Sequence, residues 1–258
     1  MTQPITIVSC SNSREILEQN LLRSPDVVSG ALPVRVIKGA RSAAAAYAAV
    51  IADPPSPVLV FAHQDIYFPA GWASRLREAM QMLDATDPSW AVIGCYGARQ
   101  DGSQAGYLYD TSSRRLLGRP FGAPQKVAML DEIVIVVRVA GGVNFDPALP
   151  GFHMYATELA LAAAHAGRGV YVGDMPVVHN SASVPTLDAS FGAAWRFVSR
   201  KWRSAMPVPN LMCRFMTGGD WPLWRWRIRN KIMLITGKRI LYERVPDPTV
   251  YARSSGFE

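Results

Sequence analysis

Val58-Leu59-Val60-Phe61-Ala62-His63-Gln64-Asp65 is the stretch on which the reading of this chain turns. Its apolar run is too short for a helix and does not alternate, the pattern of a strand covered on both faces. The break Pro54-Pro55-Ser56-Pro57 precedes it, and three polar side chains close it. A sheet covered on both faces belongs to an α/β protein, whose ligand crevice lies beyond the carboxyl ends of its strands. His63, Gln64 and Asp65 stand at such an end. A carboxylate there is placed to hold a hard divalent cation against a diphosphate, and a single Asp is enough to begin that site. The same residues also fit a capped turn beside a packed histidine.

Working outward, Ile5–Cys10 reads as a strand ending in Ser9-Cys10-Ser11-Asn12-Ser13, where Asn12 or Ser13 caps a helix over Arg14–Leu22. Pro33–Lys38 is a second strand, and the alanine-rich Ser42–Ala52 a helix. Beyond Asp65 come a helix at Gly71–Leu83 and a strand at Ala91–Gly94. The order β-α-β-α-β-α-β predicts a mostly parallel sheet between helical layers. Gln104–Tyr109 and Gln125–Val139 then read as antiparallel strands. A helix over His153–Ala166 ends at Gly167, and Val170–Val172 and Val177–Val178 are short strands. The alternation stops around Ser181–Ser190. We therefore divide the chain into an α/β unit, 1–185, and a mainly helical appendage, 186–258.

The appendage holds most of the positive charge. The chain of 258 residues carries a net +7, yet between Trp195 and Arg244 twelve Lys and Arg face only Asp220 and Glu243. The high isoelectric point therefore belongs to the tail and not to the α/β unit. Five of the seven tryptophans, Trp195, Trp202, Trp221, Trp224 and Trp226, lie there too. Phe191, Trp195, Val198 and Trp202 follow helical spacing, giving one apolar and one basic face. Such a helix lies on an anionic membrane, or packs its tryptophans on the main unit, or turns its arginines to an acidic ligand. Cys10, Cys95 and Cys213 are odd in number and far apart, which argues against a disulfide framework or zinc site and for a reducing cytoplasm. The N-terminus lacks the pattern of a signal peptide, and no apolar run reaches the roughly 20 residues of a membrane span.

Two further clusters carry candidate chemistry. In Gly151-Phe152-His153-Met154-Tyr155-Ala156-Thr157-Glu158, Tyr155 and Glu158 are i and i+3 on one helix face. Glu158 there reads either as a base for an acceptor hydroxyl or as an acid favoured by the helix N-terminus. His179 follows a short apolar run and reads as a ligand or as a hydrogen-bonded strand end. Asp131-Glu132 and Asp146 are acidic positions that either face an acceptor or sit in solvated turns.

Taken together these motifs resemble the GT-A glycosyltransferases of family 2 type, and most closely the branch related to StrF of streptomycin biosynthesis. The likeness rests on His63-Gln64-Asp65 with Tyr67-Phe68-Pro69 and Gly71-Trp72, on His153, Tyr155 and Glu158, and on Ala166-Gly167, Val170 and His179. It covers residues 4–185 in order. The resemblance implies a three-layer α/β/α sandwich and an enzyme of bacterial glycan or glycoconjugate synthesis; the cysteines put it in the cytoplasm, and the basic tail leaves peripheral contact with the inner face of a membrane as one of its readings. Such an enzyme moves a sugar from a nucleoside-diphosphate donor to a glycan, lipid-linked or small-molecule acceptor with Mn²⁺ or Mg²⁺. Asp65 and His179 would be metal ligands, with His63 in place of the first Asp of the Asp-x-Asp motif. Ser9, Cys10, Ser11, Lys38, Arg41, His63, Gln64 and Asp65 would line the donor site. Glu158 would be the base, and Asp146, His153 and Tyr155 would face the acceptor. Two positions depart from the pattern: Tyr155-Ala156 replaces the usual Glu-Asp pair, and Lys38-Gly39 the acidic residue after the second strand. A nucleotide-binding module without catalysis is the alternative, and a nucleic-acid binder working through the tail is a weaker one.

Overall fold

The computed structural model describes residues 3–258. Along the chain the strands are β1 (Ile5–Ser11), β2 (Val34–Lys38), β3 (Val58–Ala62), β4 (Ile66–Tyr67), β5 (Trp90–Gly94), β6 (Tyr96–Ala98), β7 (Gln104–Asp110) and β8 (Arg115–Gly118). They continue as β9 (Gln125–Lys126), β10 (Met129–Leu130), β11 (Val134–Arg138), β12 (Gly169–Val172), β13 (Val177–His179), β14 (Val208–Asn210) and β15 (Arg214–Met216). The α-helices are α1 (Arg14–Gln19), α2 (Pro25–Val28), α3 (Ala43–Ala52), α4 (Trp72–Thr86), α5 (Tyr155–His165), α6 (Ala189–Lys201), α7 (Trp221–Ile235) and α8 (Thr249–Ser254).

Seven strands form the central sheet in the order β2-β1-β3-β11-β5-β12-β9. β2, β1, β3, β5 and β12 run parallel to one another, and β11 and β9 run against them. This is the three-layer α/β/α sandwich with a mostly parallel sheet that the sequence pattern implies. The alternation of side chains along each strand explains why β3 is apolar throughout. Val58, Val60 and Ala62 pack on one face with Trp72, Leu76, Met80 and Leu83 of α4. Leu59 and Phe61 pack on the other with Tyr47 of α3 and Leu159 of α5. Burying one such side chain from water contributes roughly 1.5–3 kcal/mol, and β3 does so on both of its faces.

Three differences from the sequence reading matter. Gln125–Val139 is not one strand: Asp131 and Glu132 sit in a break between β10 and β11, where Asp131 Oδ1 accepts from the Ile133 N–H at 3.1 Å. The helix expected over Arg14–Leu22 stops at Gln19 and tightens into a 3₁₀ turn at Leu21–Arg23. A second sheet, β10-β6-β7-β13-β4 with β8 on β7, stands beside the first and carries His179 at the end of β13.

The tail is bound into the body at several points. α6 shares the core of α3 and α5 through Phe191, Ala194, Trp195 and Val198. α8 packs Ala252, with the following Phe257, against Tyr67, Tyr107 and Val178. Among the described residues no helix is long and apolar enough to cross a membrane.

Candidate metal and nucleotide site

β2 lies on one side of β1 and β3 on the other, so the carboxyl ends of the paired β1 and β3 form the switch point at which α/β sheets bind ligands. Gln64 joins the two strand ends. Its Oε1 accepts from Ser11 Oγ at 2.7 Å, the Asn12 N–H at 3.2 Å and the Ser13 N–H at 3.1 Å, and its Nε2 donates to Asn12 Oδ1 at 2.6 Å. Its hydrogen-bonding capacity is thus taken up by the loop, and Gln64 is a staple for the crevice wall. Ser9 is fully buried, its Oγ without a partner among the described residues, and Cys10 is half-buried with its N–H on Tyr47 Oη at 3.3 Å. Burial raises the Cys10 thiol above its ordinary pKa. Lys38 and Arg41 are exposed at the end of β2 and the approach to α3.

His63, Asp65 and His179 converge. Their ligand atoms lie within 4.8 Å of one another, with His63 Nδ1 at 4.0 Å and His179 Nε2 at 3.8 Å from Asp65 Oδ1. The sequence places these three 114 residues apart or more in two groups; β3 and β13 bring them to one point because His179 pairs with Ile66 in register. Two imidazoles and one carboxylate at these separations suit a divalent transition ion. The surrounding bonds set each donor. Tyr155 Oη donates to the Glu132 carbonyl at 3.0 Å and sits 2.9 Å from His63 Nε2. With the Tyr155 proton so engaged, His63 Nε2 carries the proton of that contact and Nδ1 keeps its lone pair toward Asp65. Burial first, then the neighbouring imidazoles, lowers the His63 pKa to about 4 despite Asp65, so the ring is neutral.

His179 is held from behind by Asp110, whose Oδ1 lies 3.2 Å from Nδ1. A carboxylate behind a ligating histidine is the usual device for fixing its ring. Burial pushes the His179 pKa down, but the bond to Asp110 and the charges of Asp65, Asp110 and Asp131 outweigh it and raise it to about 9. Burial likewise opposes the ionised Asp110, while His179, Ser113 and Ser112 bring it down to about 2. From the tail, Arg244 Nη2 reaches Asp65 Oδ2 at 3.2 Å.

A cavity of about 590 Å³ adjoins this cluster, lined among others by His179, Asp131, Glu132, His153, Thr157 and Asp188. His153 Nδ1 is 4.0 Å from Glu132 Oε2 and its ring packs on Phe191. Between His153 and α5, Met154 takes a left-handed conformation at φ 65°, an uncommon state for a side chain of this size and one that collects at functional sites. Burial, then Asp131, raises the Glu132 carboxyl well above its ordinary pKa.

The remaining expected residues lie elsewhere. Glu158 is only 1% exposed and does not line the cavity. Its Oε1 accepts from Lys201 Nζ at 2.6 Å and its Oε2 from the Asp146 N–H at 3.3 Å. Asp146 Oδ2 accepts from the same lysine at 2.6 Å. Tyr155 is buried, does not line the cavity, and meets the cluster through His63. The sequence reading missed Asp110 and the part played by Arg244. Asp110 ends a strand on a carboxylate, the signal that singled out Asp65; Arg244 was hidden among eleven other basic residues of the tail.

No family model matches the chain. A curated relative, ORF 6 of the ATP synthase subunits region of Fuscovulum blasticum, is 26% identical over 172 residues, 63% of this chain and 68% of its own length. Among solved structures, the mannosyltransferase PcManGT from Pyrobaculum calidifontis in complex with GDP-Man and Mn²⁺ aligns over 91% of this chain and 70% of its own, at 11% identity and TM-score 0.47. GalNAc-T7 with UDP, GalNAc and Mn²⁺ aligns over 89% of this chain and 54% of its own, at 10% identity and TM-score 0.47. S. aureus TarS 1–349 in complex with UDP-GlcNAc aligns over 77% and 66%, at 12% identity and TM-score 0.46. These are partial superpositions and assign no activity to this chain.

Proposed function

We propose that the chain is a metal-dependent glycosyltransferase of the GT-A kind, moving a sugar from a nucleoside-diphosphate donor to an acceptor hydroxyl. The observation that carries this reading is the convergence of His63, Asp65 and His179 at the switch-point crevice, beside a cavity lined with carboxylates. A divalent ion held there would neutralise charge building on the departing diphosphate. Two imidazole donors favour Mn²⁺ over Mg²⁺, which prefers oxygen ligands. Arg244, 3.2 Å from Asp65, supplies a second positive charge for the same phosphates. The loop Ser11–Ser13 and the basic pair Lys38 and Arg41 flank the place for the nucleoside.

Glu132 takes the role of base in this reading. It lines the cavity beside the acceptor-side His153, and burial with Asp131 gives it a stronger hold on a proton than an ordinary carboxylate has. Glu158, enclosed by Lys201 and the Asp146 N–H, holds α5 in place. His153 stands beside Glu132 on the acceptor side. Membership of the StrF-related branch and a role in bacterial glycan or glycoconjugate synthesis remain part of the proposal, carried by the motif order alone. The two-histidine, one-carboxylate set also serves non-haem iron in oxygenases; the place of the cluster where α/β sheets bind nucleotides favours the donor-sugar reading.

Calorimetric titration of UDP, GDP, dTDP and CDP, each with and without Mn²⁺, tests it. One nucleotide is expected to bind in a Mn²⁺-dependent manner and to lose at least about a hundredfold in affinity in Asp65→Ala, which removes a charged ligand. If no nucleotide binds to the folded protein in either condition, the proposal fails.

A further inference from the structure

Two basic helices follow the main body, α6 with one tryptophan and α7 with three, and they are used in opposite ways. α6 buries its apolar face: Phe191, Trp195 and Val198 are at most 7% exposed. α7 does the reverse. Trp221, Trp224, Ile228, Ile232 and Ile235, spaced by 3, 4, 4 and 3 residues, form one stripe, exposed at 65%, 53%, 39%, 55% and 75%. Ile240 and Leu241 continue the apolar surface past the helix end. The opposite face is anchored: Leu223 is buried, Asn230 Nδ2 donates to the Pro185 carbonyl at 2.5 Å, and Arg227 donates to the Leu187 and Asp188 carbonyls at 3.0 and 2.6 Å. The stripe is therefore held outward by the packing beneath it. Half of the fourteen large apolar side chains exposed among the described residues fall in 221–241, so this is a patch and not ordinary scatter.

The charge around the stripe identifies its partner. Arg225 and Arg229 flank it on one side and Lys231 on the other, with Lys238 beyond its end. Residues 221–241 contain no acidic side chain, and among the described residues none of these four pairs with a carboxylate. A symmetric contact between two copies would set these like charges against one another. An anionic bilayer answers both features: apolar and indole side chains enter the interface while the flanking cations meet phosphate headgroups. With 15 residues α7 is too short to span a bilayer and lies along it.

We infer that α7 is an interfacial helix that docks the protein on an anionic lipid surface through the Trp221–Ile235 stripe. The same helix lines the cavity through Trp226, so docking sets the cavity beside the membrane. The inference is independent of the catalytic reading. Co-sedimentation of the full chain with phosphatidylcholine vesicles, with and without phosphatidylglycerol, tests it. Binding is expected only with phosphatidylglycerol, to fall with salt, and to weaken roughly tenfold or more in Ile228→Ser/Ile232→Ser and in Arg225→Ser/Arg229→Ser. Val28→Ser, an exposed change elsewhere, leaves binding as it was, and circular dichroism establishes that each variant is folded. No binding to either vesicle overturns the inference, as does binding that the α7 variants leave intact. Light scattering that finds an oligomer broken by the same variants, without vesicle binding, also overturns it and makes the stripe a self-association face.

Discussion

Helix α5 sends one side chain into each of two polar clusters, and the clusters differ in what balances their charge. Glu158 enters a closed account: Lys201 bridges it to Asp146, and the Asp146 N–H takes its second oxygen. Tyr155 enters an open one, where Asp65, Asp110, Asp131 and Glu132 face His179 and Arg244. There the donors of His63, Asp65 and His179 converge, and a cavity lies alongside. A buried carboxylate whose bonds are all made by the chain is a strut. A surplus of carboxylate around a gap is where a cation and a substrate belong. Residue type alone does not separate the two, since each cluster holds a glutamate.

The sharpest way to break this contrast is to neutralise each glutamate in turn. Glu132→Gln is expected to lower sugar transfer by about 10²–10⁴-fold, the range for a lost general base, while metal-dependent nucleotide binding persists. Stability should hold or rise, because burial and Asp131 already oppose the charge at this position. Glu158→Gln should leave transfer within a few-fold of the parent. Transfer rates with the nucleotide found by titration decide it: the reverse pattern would return the role of base to Glu158. Both variants turning over normally would leave the cavity without a base.

The strut makes the opposite prediction. Lys201→Met leaves Glu158 buried without its partner. Breaking a buried pair costs about 3–5 kcal/mol, and the lower end applies because the lysine side chain is 35% exposed and the loss is partly screened. Urea unfolding should therefore show a loss of about 3 kcal/mol, with nucleotide affinity unchanged in the folded protein. A normal unfolding curve with impaired transfer would move Lys201 and Glu158 from scaffold to chemistry.

The fold was largely legible because its signals are local. The doubly buried β3, the alanine-rich α3 and the cap at Ser13, one of the two residues offered for it, each follow from short stretches of sequence. Asp65 and His179 stood out by the same logic, as polar residues at the mouths of apolar strands. What stayed hidden depends on tertiary placement. Whether Glu158 faces a cavity or a lysine is settled by Lys201, 43 residues away on another helix. Arg244 lies 179 residues from Asp65, and nothing local distinguishes it from its basic neighbours. α6 and α7 are both basic and aromatic, yet the packing of the rest decides that Trp195 turns inward while Trp221 and Trp224 face out.

The finest test lies inside the open cluster, at Asp110. Holding the ring of a ligating histidine is worth about 10–100-fold in metal affinity, so Asp110→Asn should weaken Mn²⁺ by that factor. A second effect opposes it. Asp110, with Asp65 and Asp131 facing the same ring and Arg244 drawn to Asp65, keeps His179 protonated up to a pH of about 9 in the metal-free protein. At pH 7 a metal must displace that proton, which costs the parent protein about a hundredfold in apparent affinity. Affinity in the parent should therefore rise about tenfold per unit between pH 7 and 9 and then level off. Without the Asp110 charge, burial pulls the His179 pKa down, and the variant should be nearly flat over that range. The two proteins should bind Mn²⁺ similarly at pH 7 and diverge toward pH 9, where only the loss of orientation remains. Calorimetry at pH 7, 8 and 9 reads this directly. A constant ratio across the range would mean that Asp110 positions the ring without governing its proton, and a ratio near one throughout would remove His179 from the metal shell.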